Sequence, residues 1–202
     1  MSLRHAFDEL AFRAASAWAD ARRGVRLFWY RRDLEAMAFA LLIGAALVAF
    51  GYGMHAVLAR HARAQELALE TERMNLACLA RNVYFEARGE PAEGQYAVAE
   101  VTMNRKASRR YPATVCEVVH EKRWDAIRKR YVGAFSWTEF YAVPEPAGEA
   151  WAFAQKVAEE VYYGRAPARV DGATFYHATY IKPSWAGKQE RVARIGRHVF
   201  YR

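Results

Sequence analysis

Three glutamates, Glu86, Glu90 and Glu93, stand close together in the stretch Leu76–Met103, LACLARNVYFEARGEPAEGQYAVAEVTM. Carboxyl groups are the usual agents of proton transfer to a leaving oxygen, and their surroundings decide which of them can do it. Apolar residues recur at Leu76, Leu79, Ala80 and Val83, the i, i+3, i+4, i+7 spacing of one helical face. Glu86 follows Leu79 by seven residues, which returns it to within roughly 20° of Leu79's direction. Its carboxyl group is therefore expected to point inward from the last turn of a helix. A carboxyl desolvated in such a place favours its protonated form and can serve as a general acid. A salt bridge to Arg81 or Arg88, or a capping bond to the next helix, is the plainer use of the same residue, and spacing leaves both open. Glu90 falls in the following turn and Glu93 in the first turn of a second helix, where a carboxylate ordinarily complements the dipole. Those two are candidates for a second carboxylate.

The elements that would position these groups can be read in order. Gly89 and Pro91 stop the first helix, and Ala97, Val98 and Val101 give the second its apolar face. Asn104 to Tyr111 reads as a basic loop. Pro112 opens a short helix with Val115, Val118 and Val119 on one side. From Arg123 to Pro146 no period persists, yet Trp124, Tyr131, Phe135, Trp137, Phe140 and Tyr141 crowd this segment. A long connection so rich in aromatics is expected to be a packed lid or a functional loop, its rings stacking on sugars or filling a small core. A helix follows from about Ala147 to Tyr163, stopped by Gly164. Period-two patterning then marks strands around residues 173–180 and 195–201, separated by Pro183 to Arg191. Several helices followed by a late hairpin predict an α+β domain.

Upstream the chain changes character. From Ala36 to Ala59 there are 24 consecutive residues without Asp, Glu, Lys or Arg. As a helix they span about 36 Å, enough for a hydrocarbon core of roughly 30 Å. Arg22, Arg23, Arg26, Arg31 and Arg32 precede this segment, which predicts one transmembrane helix in the cytoplasmic membrane with its N-terminus cytoplasmic and the remaining chain exported. A cleaved signal peptide is the competing reading, but the charged leader is long and the apolar run exceeds a usual signal core. Residues 1–35 form a basic cytoplasmic segment, expected as an amphipathic surface helix bearing Phe7, Leu10, Phe12 and Trp18. Residues 60–75 read as a charged helical stalk, and residues 76–202 as the exported domain. The net charge of +8 falls mostly on residues 60–202, which suits an acidic polymer as partner, whether nucleic acid, anionic lipid or cell wall glycan. Export removes nucleic acid from reach, and no recognition motif for it is present.

Cys78 and Cys116 are the only cysteines. An oxidising compartment would allow one disulfide between them, and two buried thiols is the equal alternative. His177 and His198 sit on the two predicted strands and could face one another. No HExxH or CxxC spacing accompanies them, so neither a metal nor another cofactor is expected. The pattern fixes no oligomeric state.

The pieces CLARNVYFEARGEPAEGQYAVAEVTMNR (78–105), YPATVCEVVHEK (111–122), AFSW (134–137), GATFYHATYIKPSW (172–185) and IGRHVFYR (195–202) resemble, in this order, the SleB/CwlJ-like cell wall hydrolases. The resemblance covers most of residues 76–202. It implies a lysozyme-like or transglycosylase-like helical domain with a small C-terminal β-hairpin, acting on the peptidoglycan glycan strand between MurNAc and GlcNAc. The first Glu of EARGE, here Glu86, would be the catalytic acid. One carboxylate suffices for a lytic transglycosylase, because the muramic acid 6-hydroxyl attacks its own anomeric carbon. With Glu90 or Glu93 placing a water the outcome would be hydrolysis by a muramidase. Tyr84, Ser136, Trp137, Tyr176, His177 and Trp185 are expected to line the sugar-binding cleft. Family members often carry a cysteine just before Phe-Ser-Trp, where this chain has Ala134. A membrane-tethered wall-binding module without turnover is the alternative of a different class.

Overall fold

The computed structural model describes residues 3–126 and 128–202, with side chains from residue 13 onward. The chain divides into two compact units, residues 1–65 and 66–202. Helix α1 (Leu3–Ala87) makes up the described part of the first unit and supplies the opening helix of the second. In the first unit Phe39, Leu41, Leu42, Leu47, Val48 and Phe50 are all exposed, so this apolar segment packs against no protein. It is the one described helix long and apolar enough to cross a bilayer, by length and composition. Phe7, Leu10 and Phe12, expected on an amphipathic face, lie outside the described side chains. Trp18 is exposed, with the Arg22 guanidinium 3.6 Å above its ring.

The second unit is organised around α2 (Ala92–Ala107). This helix is buried on nearly every side, from Gly94 through Ala99 and again at Val101, Thr102 and Arg105. A helix apolar on all faces belongs in a core, and α2 divides this core in two. On one side Leu79, Ala80 and Val83 of α1 meet Tyr96 and Ala99, Val115 and Val119 of α3 (Val115–Val119), and Ala154, Val157 and Ala158 of α4 (Gly148–Tyr162). On the other, Ala97, Val98 and Val101 meet Val170, Ala173 and Phe200 beneath a sheet. The sheet is three-stranded and antiparallel: β3 (Phe175–Ala178), β4 (Arg191–Ile195) and β5 (His198–Tyr201), in the order β3-β5-β4.

The α+β architecture is the one the patterning predicts, with differences of detail. The basic loop expected from Asn104 begins later, because α2 continues to Ala107 and turns Asn104 and Arg105 toward the domain. The helix after Pro112 starts at Val115, where Thr114 and Glu117 close a capping box. The segment from Arg123 is not irregular: β1 (Lys122–Asp125) and β2 (Arg130–Gly133) pair antiparallel into a separate hairpin, followed by a 3-10 turn at Ser136–Glu139. The C-terminal hairpin is part of a sheet, since β4 begins at Arg191 and β5 inserts between it and β3. Gly196, at φ 54°, opens the two-residue turn between β4 and β5, a position where only glycine is comfortable. Cys78 and Cys116 are joined by a disulfide, tying α1 to α3.

Candidate active site

Glu86 lies in the last turn of α1 and is half-buried. Its two carboxyl oxygens meet hydroxyls from two distant parts of the chain. Ser136 Oγ donates to Oε1 at 3.2 Å, and the Tyr176 hydroxyl donates to Oε2 at 3.0 Å. Among the described residues no cation lies within ion-pair distance of Glu86, so the salt bridge to Arg81 or Arg88 does not form. Arg81 instead pairs with Glu145, and Arg88 donates to the Tyr84 hydroxyl.

Each of the two donors is fixed by buried polar bonds. Asn82, one turn before Glu86, donates to Thr102 Oγ1 at 3.1 Å and accepts from Trp137 Nε1 at 2.9 Å. This network links α1, α2 and the 3-10 turn, and so holds Ser136, the neighbour of Trp137, against the end of α1. Tyr176 is held by the start of β3. Arg105 Nε donates to the Thr174 carbonyl at 2.8 Å and Asn104 donates to the Ala173 carbonyl at 3.0 Å. The Tyr176 ring packs edge-on to His198 at 5.2 Å and beside Phe200 at 5.7 Å. Burial, followed by the charge of Glu86, pushes the Tyr176 phenol well above its ordinary range. Tyr176 therefore stays a protonated donor toward the carboxylate. Both hydroxyls can also accept, so the carboxyl can exchange a proton without losing its supports.

The other two glutamates are committed elsewhere. Glu90 is buried, and Arg197 grips it twice, through its backbone N–H at 2.8 Å and its Nε at 2.7 Å. Burial alone would push the Glu90 carboxyl up, but the Arg197 donors and the charges of His198 and Arg197 bring it below the usual carboxylate range. Glu93 is exposed and paired with Arg169. Among the described residues Glu86 alone of the three has neutral hydroxyls and no arginine as its partners.

Of the expected cleft residues, Ser136 and Tyr176 are brought to Glu86. Tyr84 and Trp137 are buried in the core, Tyr84 against Phe85 and Trp151, and Trp137 stacked on Phe85 at 4.9 Å. Strand alternation sends His177 to the face opposite Tyr176. There it stacks on Tyr201 at 5.3 Å, with Nε2 3.0 Å from the Tyr201 hydroxyl, and Trp185 closes the cluster at 5.7 Å from His177. His177 and His198 do not face one another: in the register His177 pairs with Val199, and His198 with Ala178. Among the described residues no cluster of three or more His, Cys, Asp or Glu could hold a metal. A cavity of about 350 Å³ between α1 and α4, lined by Arg73, Leu76, Trp151 and Tyr163, involves none of the site residues. The sequence offered no pointer to Asn82, Thr102 or Arg105. Polar residues within apolar helical faces are the signal that could have found them.

A family model described as Cell Wall Hydrolase matches residues 89–201, more than half of the chain. The chain belongs to the cell wall hydrolase family. The matched span contains Ser136 and Tyr176 and begins three residues after Glu86. Among curated family relatives, the "Spore cortex-lytic enzyme" of Halalkalibacterium halodurans is 32% identical over 123 residues, 60% of this chain and 33% of that protein. The protein of the same name from Bacillus subtilis is 29% identical over 122 residues, covering 60% of this chain and 35% of its own length. The chain thus spans about a third of the length of these cell wall hydrolases. The catalytic domain of the germination-specific lytic transglycosylase SleB from Bacillus anthracis is 29% identical, over 63% of this chain and 93% of that one, with a TM-score of 0.49.

Proposed function

We propose that the domain is an enzyme that cleaves the glycan strand of peptidoglycan between MurNAc and GlcNAc, acting as a lytic transglycosylase with Glu86 as its one catalytic carboxyl group. The observation that carries this reading is the contrast among the three glutamates. Among the described residues Glu86 has two hydroxyl donors and no cation, whereas Glu90 and Glu93 are each held by an arginine. In the first step Glu86 gives its proton to the glycosidic oxygen as the C1–O bond breaks, and the muramic acid C1 takes on oxocarbenium character. The C6 hydroxyl then bonds to C1, and its proton returns to Glu86, leaving a 1,6-anhydro end and the enzyme as it began. Ser136 and Tyr176 hold the carboxyl group through both transfers. Membership of the family and the names of the curated relatives support the choice of substrate.

Zymography on purified sacculi tests the assignment. Glu86→Gln is expected to lower clearing at least about hundredfold, the ordinary weight of one general acid–base group. Equal clearing by the variant overturns the role of Glu86. Mass analysis of the soluble products is expected to give anhydro ends; reducing ends in their place would establish hydrolysis.

The placement that accompanies this reading is a single-pass anchor at residues 36–59 in the cytoplasmic membrane, a helical spacer at 60–75, and the enzymatic domain on the outer side. An exposed apolar helix and an arginine-rich preceding segment support it.

A further inference from the structure

Among the described residues, the β1–β2 hairpin contributes none to either core cluster. Trp124 and Tyr131 are direct partners across it, with ring centroids 5.4 Å apart and planes at 71°. They are 58% and 65% exposed. Alternation along the strands places Lys122 on the same face, while Arg123 turns the other way, over Tyr111 at 4.5 Å. An exposed aromatic pair in so charged a segment gains only its own cross-strand contact from folding, and exposed apolar patches mark contact surfaces.

The segment Lys122–Gly133 carries five cations and one acid. Arg123, Arg128 and Arg130 each have an acidic neighbour, in Glu121, Asp125 and Glu139. Lys122 and Lys129 form no ion pair among the described residues. The root of the hairpin is clamped to the 3-10 turn that carries Ser136. Glu139 accepts from the Gly133 N–H at 2.9 Å and from Arg130 Nη2 at 2.9 Å, and a side chain added at Gly133 would collide with Thr138. Phe135, between the hairpin and Ser136, is buried. The aromatic pair is thus fixed to the same turn that supports Glu86.

We infer that the β1–β2 hairpin is a docking element for a glycan strand that bears carboxylates: Trp124 and Tyr131 stack on sugar rings beyond the bond at Glu86, and Lys122 and Lys129 receive carboxylates of the attached peptides. The inference rests on the function proposed above. Continuity with the Glu86 site selects the substrate over a lipid surface, since a lipid-binding patch needs no connection to Ser136.

The test is co-sedimentation of the full chain, in dodecyl maltoside, with purified sacculi. All binding is read in the Glu86→Gln background, so that turnover does not enter. Trp124→Ala with Tyr131→Ala is expected to weaken binding about tenfold, with a fall in melting temperature of only a few degrees, because both rings are exposed and lose only their contact with each other. Lys122→Ala with Lys129→Ala is expected to weaken binding to untreated sacculi and to leave binding unchanged on sacculi whose carboxylates have been converted to amides with carbodiimide and ammonia; equal binding by this variant to untreated sacculi overturns the role of the two lysines. N-acetylglucosamine hexasaccharide should compete, and dihexanoyl phosphatidylglycerol should not. Unchanged binding by the aromatic variant, or competition by the lipid alone, overturns the inference. Clearing by the otherwise wild-type chain is assayed in parallel. Clearing by the chain with both Glu86 and the hairpin intact, together with unaltered binding by the aromatic variant, removes the docking role alone; absence of clearing by that intact chain, with binding lost in the aromatic variant, removes the enzymatic reading alone.

Discussion

At the scale of residues, a carboxyl group becomes distinctive through what is left off it. Glu86 differs from Glu90 and Glu93 by lacking an arginine, and its supports are neutral hydroxyls that can take either end of a hydrogen bond. Removing one should impair chemistry more than folding. Tyr176→Phe is expected to lower kcat about tenfold to hundredfold with little change in KM, measured as release of soluble glycan fragments. Glu90 makes the opposite prediction. Its carboxyl group is buried and Arg197 is its chief partner, but the guanidinium is largely exposed and the backbone N–H survives the change, so Arg197→Ala should destabilise the domain by about 1–2 kcal/mol in urea unfolding. The sign of the pH dependence follows from the depressed carboxyl of Glu90. Its contribution is present above the unfolded carboxylate range and is lost as pH falls through the lower folded value. His198 acts in the same direction, because burial lowers its pKa despite the pull of Glu90 and Glu86. Its share begins to fade as pH drops below about 6.5. Stability measured from pH 7 to pH 3 should therefore decline in two stages, and Glu90→Gln should make the lower one shallower without abolishing it, because Glu139 and Glu190 are also held down by arginines.

At the scale of elements, the bond between Cys78 and Cys116 closes a loop over 38 positions and anchors α3, a helix of only five residues, to α1. Reduction is expected to lower unfolding stability by about 3–4 kcal/mol, read from denaturant curves with and without dithiothreitol. Thr114→Ala, which opens the capping box of α3, should remove about 1 kcal/mol. The helices around the site were legible because their cues are local. Leu79, Val83 and Glu86 share a face by spacing, and Gly89 and Pro91 mark the end of α1. The cross-chain bonds were not legible. That Ser136 and Tyr176 meet one carboxylate depends on contacts 50 and 90 residues long, which no periodicity encodes. The β1–β2 hairpin escaped notice because its strands are four residues each and mostly exposed, so no apolar alternation marks them. His177 illustrates a subtler limit. A strand pattern places it beside Tyr176 in sequence, and the pleat then turns it to the other face.

At the scale of the whole molecule, the two units differ in what they expose. The first displays a run of exposed Leu, Phe and Val, while the second buries its apolar residues around α2 and carries a disulfide. A stable disulfide belongs to an oxidising compartment, which agrees with the proposed export of residues 60–202. Alkaline phosphatase joined after Arg202 should be active in cells, and the same reporter joined after Glu35 should not; the reverse pattern would invert the proposed orientation. The order of strands carries one more consequence. Since β5 lies between β3 and β4, cutting the chain after Arg197 withdraws the middle of the sheet instead of an edge, and Tyr176 loses the neighbour strand that steadies it. Loss of β5, far from Glu86 in sequence, would thus loosen one of the two hydroxyl donors on that carboxyl group.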